Sequence, residues 1–549
     1  MKSYPALRRL LAGICTLVVF AGVWFLSSSA RSPNPPPARA DQTRTAQAAW
    51  PMFGGSLDRN MVNTFDKTIP TEWNVEEGSQ KNIKWVSDLG SKAYGGPIVA
   101  AGKVFIGTNN QKPRNPKIKG DKGIVMCFDE ATGKFLWQAV HDKLPAGRVN
   151  DWPEEGICSS PYVEGNRLYY VSNRCELICA DTEGFLDGKN DGIQDEKYKD
   201  KIDADIIWRL DMIKDLDVFP HNLATSSPLV VGDLIFLVTS NGVDEGHINI
   251  PQPKAPSFIA VDKHTGKVIW QDRSPTVRLV EDSGGNKLVL IKELLDKGLI
   301  LMHGQWSSPA YAVANGKPQV IFPGGDGWLY SFEPQSGKLI WKFDCNPKSS
   351  VYKLGGKGTR SDFIATPVVY DNKVYIGVGQ DPEHKEGVGH LWCIDITKEG
   401  DVSPKDDNFD PKAPVNKDSA LVWHYGGFGD PDKIGRNYYF GRTMSSCAIH
   451  DGLVYIAELA GYIHCLDART GEKYWEHDMG AATWSSPYWV DGKIYMGNDN
   501  GQLLVFAHGK EKKILSEIDM QGKVRATPVV ANGVLYIMTE NKLYAIANR

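Results

Sequence analysis

From about residue 81 onward, short apolar runs alternate with tight polar turns. The clearest unit runs from Ser485-Ser486-Pro487 through Tyr488-Trp489-Val490, a turn at Asp491-Gly492, and Lys493-Ile494-Tyr495-Met496-Gly497. It reads as a small polar pair and a proline, an apolar strand, a turn, and a second strand. Equivalent units begin at Pro97, Pro161, Pro228, Pro309, Pro367 and Pro528, while Cys447 takes the proline place in Ser445-Ser446-Cys447. These eight starts, the last three about forty residues apart, predict eight copies of a four-stranded antiparallel unit.

A second pattern follows the first. Four segments align without gaps: Asp129 to Trp137, Asp262 to Trp270, Glu333 to Trp341 and Asp467 to Trp475. Each places an acid at the end of a strand, a glycine four residues on, and a tryptophan four residues after that. The acid accepts backbone hydrogen bonds across a turn, and the glycine supplies a positive φ. The β-branched and aromatic residues that follow start the next strand, with the tryptophan directed between sheets.

The eighth unit, Ala526 to Ala547, supplies only three strands. The fourth is predicted from Ile83-Lys84-Trp85-Val86, a strand with its tryptophan but without preceding strands of its own. Joining the two closes a ring and removes free sheet edges. The fold expected is therefore all-β, an eight-bladed β-propeller spanning residues 81–549, after a lead-in at residues 41–80. Trp85, Trp137, Trp208, Trp270, Trp341, Trp423 and Trp475 fill one position in seven blades; in blade seven, Lys512-Lys513-Ile514-Leu515 runs there instead.

Composition adds limits. The chain is 42% hydrophobic and 23% charged with a net charge of −4, which gives no basic excess for nucleic acid. Residues 1–40 stand apart: Lys2, Arg8 and Arg9, an apolar run from Leu10 to Leu26, small residues, and the proline-rich stretch Pro33 to Pro37. This is the pattern of an export signal, with Ala38-Arg39-Ala40 as a cleavage site, or of a retained membrane anchor. The expected location is periplasmic, or anchored to the outer side of the cytoplasmic membrane.

The combined motifs, A-x-D-x-x-T-G-x-x-x-W following S-S-P-x-V-x-x-G, resemble those of the quinoprotein alcohol dehydrogenase-like (PQQ-repeat) propeller superfamily. The resemblance covers nearly everything from Trp50 to Arg549, including the lead-in Trp50-Pro51-Met52-Phe53-Gly54-Gly55. It implies the propeller and leaves function open, since the superfamily holds both quinone enzymes and a non-enzymatic scaffold of outer-membrane assembly.

Chemistry is expected on the face that carries the grown loops, about residues 110–123, 241–257 and 380–389 within blades and 141–158, 273–306, 345–364 and 426–444 between them. The channel mouth there is ringed by Tyr94, Glu155, Asn222, Gln305, Trp306, Arg360, Asp362, Arg442, Trp484 and Arg525. By blade position, the resemblance implies Glu155, Asn222 and Asp362 as a Ca2+ set and Asp362 as catalytic base. It implies Trp306, Trp484, Arg360, Arg442 and Arg525 around pyrroloquinoline quinone. The sequence departs from the enzymes in having no adjacent cysteine pair and no Cys-x-x-Cys-His.

Cys127, Cys179, Cys393 and Cys465 share one repeat position, where other copies carry Ala260 or Ser331, so they read as small buried residues. The acidic loop Asp187 to Glu196 reads as a solvated turn or a structural calcium loop. The function expected is an exported binding or scaffold propeller, a monomer, taking an envelope protein or polymer and touching the membrane only through its first segment. The alternative is a quinone- and calcium-dependent alcohol or polyol dehydrogenase.

Overall fold

The computed structural model describes residues 50–276, 303–353, 357–384, 386–429 and 436–548; the signal or anchor segment at residues 1–40 lies outside them. Among the described residues no helix is long and apolar enough to cross a membrane.

Eight antiparallel four-stranded sheets follow one another along the chain. The first comprises Ile98–Ala100, Lys103–Asn109, Lys122–Asp129 and Phe135–Asp142. The eighth comprises Val529–Ala531, Val534–Met538 and Lys542–Ile546, with Ile83–Asp88 as its outer strand. The ring thus closes as the repeat pattern predicts. Two further strands join from outside the repeat. Val62–Asn63 pairs in parallel with the inner strand of blade seven, and Gly400–Asp401 pairs in parallel with the outer strand of blade four.

The repeat residues explain the packing. Each outer-strand tryptophan faces a small residue on the third strand: Trp85 faces Ala545, Trp137 Cys127, Trp208 Cys179, Trp270 Ala260, Trp341 Ser331, Trp423 Cys393 and Trp475 Cys465. Blade seven exchanges the sizes, with Val505 facing Ser516. The cysteines are therefore spacers, and all eight described cysteines are unbridged.

The same tryptophans reach the next blade. Trp85 donates its indole N–H to the Glu130 carbonyl at 3.0 Å, Trp208 to Lys263 at 3.1 Å, Trp270 to Pro334 at 2.8 Å and Trp423 to Ala468 at 2.9 Å. Each acceptor lies in the acid-to-glycine turn of the following blade. The turn glycine then lies flat against the ring: a Cβ on Gly337 would sit 2.7 Å from Trp270. Inside the turn, Asp262 accepts from the Thr265 backbone and hydroxyl, both at 2.8 Å. Acid, glycine and tryptophan thus form a joint between blades. Trp341 departs from it by donating to Gln319 at 2.7 Å, since the next blade replaces the glycine turn with a long excursion.

The lead-in touches every blade. Trp50 bridges Val99, Pro51 accepts from Val163, Leu57 from Tyr311, Asp58 from Val369 and Met61 from Trp489. Asn60 donates to Ile449 and Asn63 to Val530. Arg59 is fully buried and gives its guanidinium to the carbonyls of Phe53, Ser227, Pro228 and Pro309. Burial lowers its pKa to about 9, which leaves it charged at neutral pH. Apart from Phe53 of the lead-in itself, these partners lie in, or immediately before, the inner strands of blades one to eight. Beyond them, Asp66 and Ile69 meet the first-to-second-strand turns at Gly533 and Asp491. The lead-in therefore occupies the face opposite the grown loops.

Candidate functional site

Loops from blades two to five meet on the loop-bearing face. His221 precedes the inner strand of blade three, and His247 lies in the same blade's second-to-third-strand loop. His303 and Asp362 precede the inner strands of blades four and five. Asp381, Glu383 and His384 come from the second-to-third-strand loop of blade five.

The imidazoles of His221 and His303 have centroids 4.9 Å apart, those of His221 and His247 4.9 Å, and those of His247 and His303 4.6 Å. His303 lies 3.8 Å from Asp362 and 3.2 Å from Asp381, which also pairs with His384 at 3.1 Å. Trp306 covers the group, with its ring 5.5 Å from His221 and 5.3 Å from His303. Its indole donates to the His221 carbonyl at 2.9 Å.

The backbone is shaped for this approach. A Cβ on Gly242 would lie 2.6 Å from His221 and 2.8 Å from the His303 carbonyl, so only glycine lets these loops pass. Asn222, Ser240 and His247 have φ of 60°, 73° and 53°, left-handed conformations that cost side-chain-bearing residues free energy.

Burial sets the charges. It pushes His221 well below the ordinary imidazole range and His303 to about 4, so both are neutral near pH 7. Burial and then the Asp381 charge drive Asp362 well above the usual carboxylate range. Burial also acts to raise Asp381, but the His384 hydrogen bond and the interaction with the adjacent His303 ring hold it below that range.

The expected residues divide among three places. Asp362 and Trp306 are in the histidine group. Asn222 borders it beside His221 and Glu383, with its amide nitrogen oriented to donate to the Arg148 carbonyl at 2.9 Å and the Glu245 carboxylate at 3.2 Å. Arg442 borders it too, donating to Gln380 at 2.6 Å and to the His384 carbonyl. Trp484, Arg525 and Tyr94 form a second group. Arg525 donates to Asp499 at 2.8 and 2.7 Å and to the Tyr94 hydroxyl at 2.9 Å, and lies 5.0 Å over the Trp484 ring. Glu155 pairs with Lys92 at 2.8 Å, and Arg360 with Asp344 at 3.0 Å.

The four histidines and Asp381 escape sequence reasoning because no fixed spacing links them. The available signal was weak: three of the grown loops carry His247, His303, Asp381 and His384, and His221 lies outside them. A separate cavity of about 430 Å³ opens between the outer strands of blades one and two, lined by charged groups such as Asp142, Glu176 and Arg209. The acidic 187–196 loop folds nearby, with Asp195 paired to Arg209 at 2.7 Å.

The model of the PQQ_2 family, described as outer membrane protein assembly factor BamB, matches residues 199–407 and 459–549. The chain is 24% identical to polyvinylalcohol dehydrogenase of Sphingopyxis sp. (strain 113P3) over 391 residues, 65% of this chain and 51% of that protein. It thus spans about half the length of that relative. Among solved structures, a europium-containing methanol dehydrogenase is 12% identical with a TM-score of 0.54, covering 91% of this chain and 98% of that one. Quinohemoprotein alcohol dehydrogenase ADHIIG from Pseudomonas putida HK5 is 14% identical with a TM-score of 0.55, covering 91% and 80%. At these identities the two structures share the fold.

Proposed function

Because the chain belongs to the PQQ_2 family, described as outer membrane protein assembly factor BamB, we propose that it is an exported binding or scaffold propeller. It takes an envelope protein or a polymer on its loop-bearing face, acts as a monomer, and touches the membrane only through residues 1–40. One observation carries this reading: the arginines suited to grip a quinone are already engaged within the protein. Arg525 is held by Asp499 in two hydrogen bonds, Arg360 by Asp344 and the Asp326 carbonyl, and Arg442 by Gln380 and the His384 carbonyl. Redirecting them to a cofactor would sacrifice charge-assisted hydrogen bonds in a partly dry setting. The packing of the half-buried Trp306 against two imidazoles also favours a filled mouth over a stacking floor.

A second reading, a quinone- and calcium-dependent dehydrogenase of alcohols or polyols, draws on the match to polyvinylalcohol dehydrogenase. It also draws on Asp362, a buried carboxyl of raised proton affinity at the channel mouth, where a general base would work. In that reading a bound quinone would supply the hydride acceptor, and Asp362 would take the hydroxyl proton of the alcohol. One assay separates the two. Purified protein incubated with pyrroloquinoline quinone and Ca2+ is given alcohols and polyvinyl alcohol with an artificial electron acceptor. The binding reading expects no substrate-dependent dye reduction. Turnover that is abolished by Asp362→Asn would replace it with the dehydrogenase.

A further inference from the structure

Several buried polar atoms on the loop face have no hydrogen-bond partner in the protein. Both ring nitrogens of His303, Nε2 of His247 and Oδ2 of Asp362 are all in this position. The three residues are 5%, 8% and 5% exposed. Buried polar atoms without partners are costly, so such a concentration calls for a ligand. One ligand atom from each of His221, His247 and His303 can be chosen so that all three lie within 4.8 Å of one another. The same holds for His303, Asp362 and Asp381. Tetrahedral ligands on an ion at 2.0–2.1 Å stand roughly 3.3 Å apart, so small side-chain rotations complete the approach.

The hydrogen bonding around the group fits an ion. His221 Nδ1 meets the Val243 carbonyl at 2.9 Å, which places the proton on Nδ1 and leaves a lone pair on Nε2. Asp381 beside His303 repeats the carboxylate–imidazole pairing that orients metal-bound histidines, here at 3.2 Å without hydrogen-bond geometry. Donor type then selects the metal. Imidazole nitrogens suit Zn2+, Cu2+, Ni2+ and Fe2+, whereas Ca2+ takes oxygen ligands.

We propose that His221, His247 and His303, completed by a carboxylate of the Asp362–Asp381 pair, bind one divalent late first-row metal ion, with zinc as its representative. The ion links loops of blades three, four and five at the channel mouth. The assignment is independent of which partner the propeller takes and of whether it turns over an alcohol.

The test uses the untagged full chain, stripped with a chelator and titrated with Zn2+ alone by calorimetry, with metal content measured after dialysis. One equivalent of zinc per chain is expected, together with a rise in melting temperature on binding. Co2+ in place of zinc should give the visible absorption bands of nitrogen-ligated cobalt. His247→Ala, in a surface loop, and His303→Gln should each weaken zinc at least tenfold. His264→Ala, at an exposed turn away from the group, should bind as the parent does. Ca2+ alone should neither bind in that stoichiometry nor displace zinc at equal concentration. If His303→Gln fails to fold, His247→Ala, checked by circular dichroism, decides the matter. Absence of stoichiometric zinc in the parent would overturn the proposal. So would a folded His247→Ala chain that binds zinc like the parent, or calcium that competes on equal terms.

Discussion

Trp85 and Ala545 face each other across the strand pair that closes the ring. The pairing repeats a rule kept in six other blades, a large indole opposite a side chain no larger than cysteine. Here the two halves come from opposite ends of the propeller sequence. The indole also donates to Glu130 in blade one, so one residue joins two sheets.

Removing that indole should loosen the closure. Trp85→Ala is expected to destabilise the protein by about 3–5 kcal/mol, the range for deleting a buried aromatic, read as a lower urea midpoint. Ala545→Leu should also destabilise, by about 1–3 kcal/mol, because it overfills the same space. The double variant should recover part of the loss, since the added leucine enters the cavity left by the indole. Simple addition of the two losses would count against a direct pairing.

The turn glycines offer a cleaner comparison. Gly337 has φ +67° and its missing Cβ would collide with Trp270 at 2.7 Å, whereas Gly316 has φ +76° with nothing within 4 Å. Gly316→Ala should cost only the left-handed penalty, about 1–2 kcal/mol. Gly337→Ala should cost that plus about 1–3 kcal/mol for displacing the ring. Equal losses in thermal denaturation would show that the turn does not dock the neighbouring blade.

Two buried groups should tilt the pH dependence in opposite senses. Burial lowers His390 to about 4, so between pH 6.5 and 4 the unfolded chain binds a proton that the native state refuses. Stability is lost as pH falls through this window, by an amount of order 3 kcal/mol. Burial raises Asp326 to about 6, so between pH 3.8 and 6 the native state holds the extra proton, and stability is lost as pH rises. Urea midpoints measured from pH 4 to 8 should flatten at the acid end for His390→Gln. For Asp326→Asn they should rise near pH 7, where the unfavourable charge is gone, provided the amide still accepts from Tyr330. An unchanged acid slope in His390→Gln would show that this imidazole is not held neutral.

The framework was readable from sequence because its joints are local and repeated. The acid, glycine and tryptophan sit at constant spacing, and alanine, cysteine or serine recurs opposite the tryptophan, so even the cysteines could be read as spacers. The closing strand showed itself as a tryptophan without its preceding strands. Gly400–Asp401 on blade four was not visible, because a two-residue parallel pairing leaves no periodic trace. The histidine group was hidden for a related reason. His221, His247, His303 and His384 lie in loops of unequal length, and only the ring brings those loops together. Asp362 could be marked because its blade position could be counted, and Arg59 was missed because nothing in the lead-in marks one arginine as buried.

The lead-in has a consequence for the ring as a whole. A segment bonded in or next to the inner strands of all eight blades, with Arg59 anchored across blades three and four, laces the circle from within. The blades are thus held together twice, once by the joints at their outer strands and once by this inner lacing.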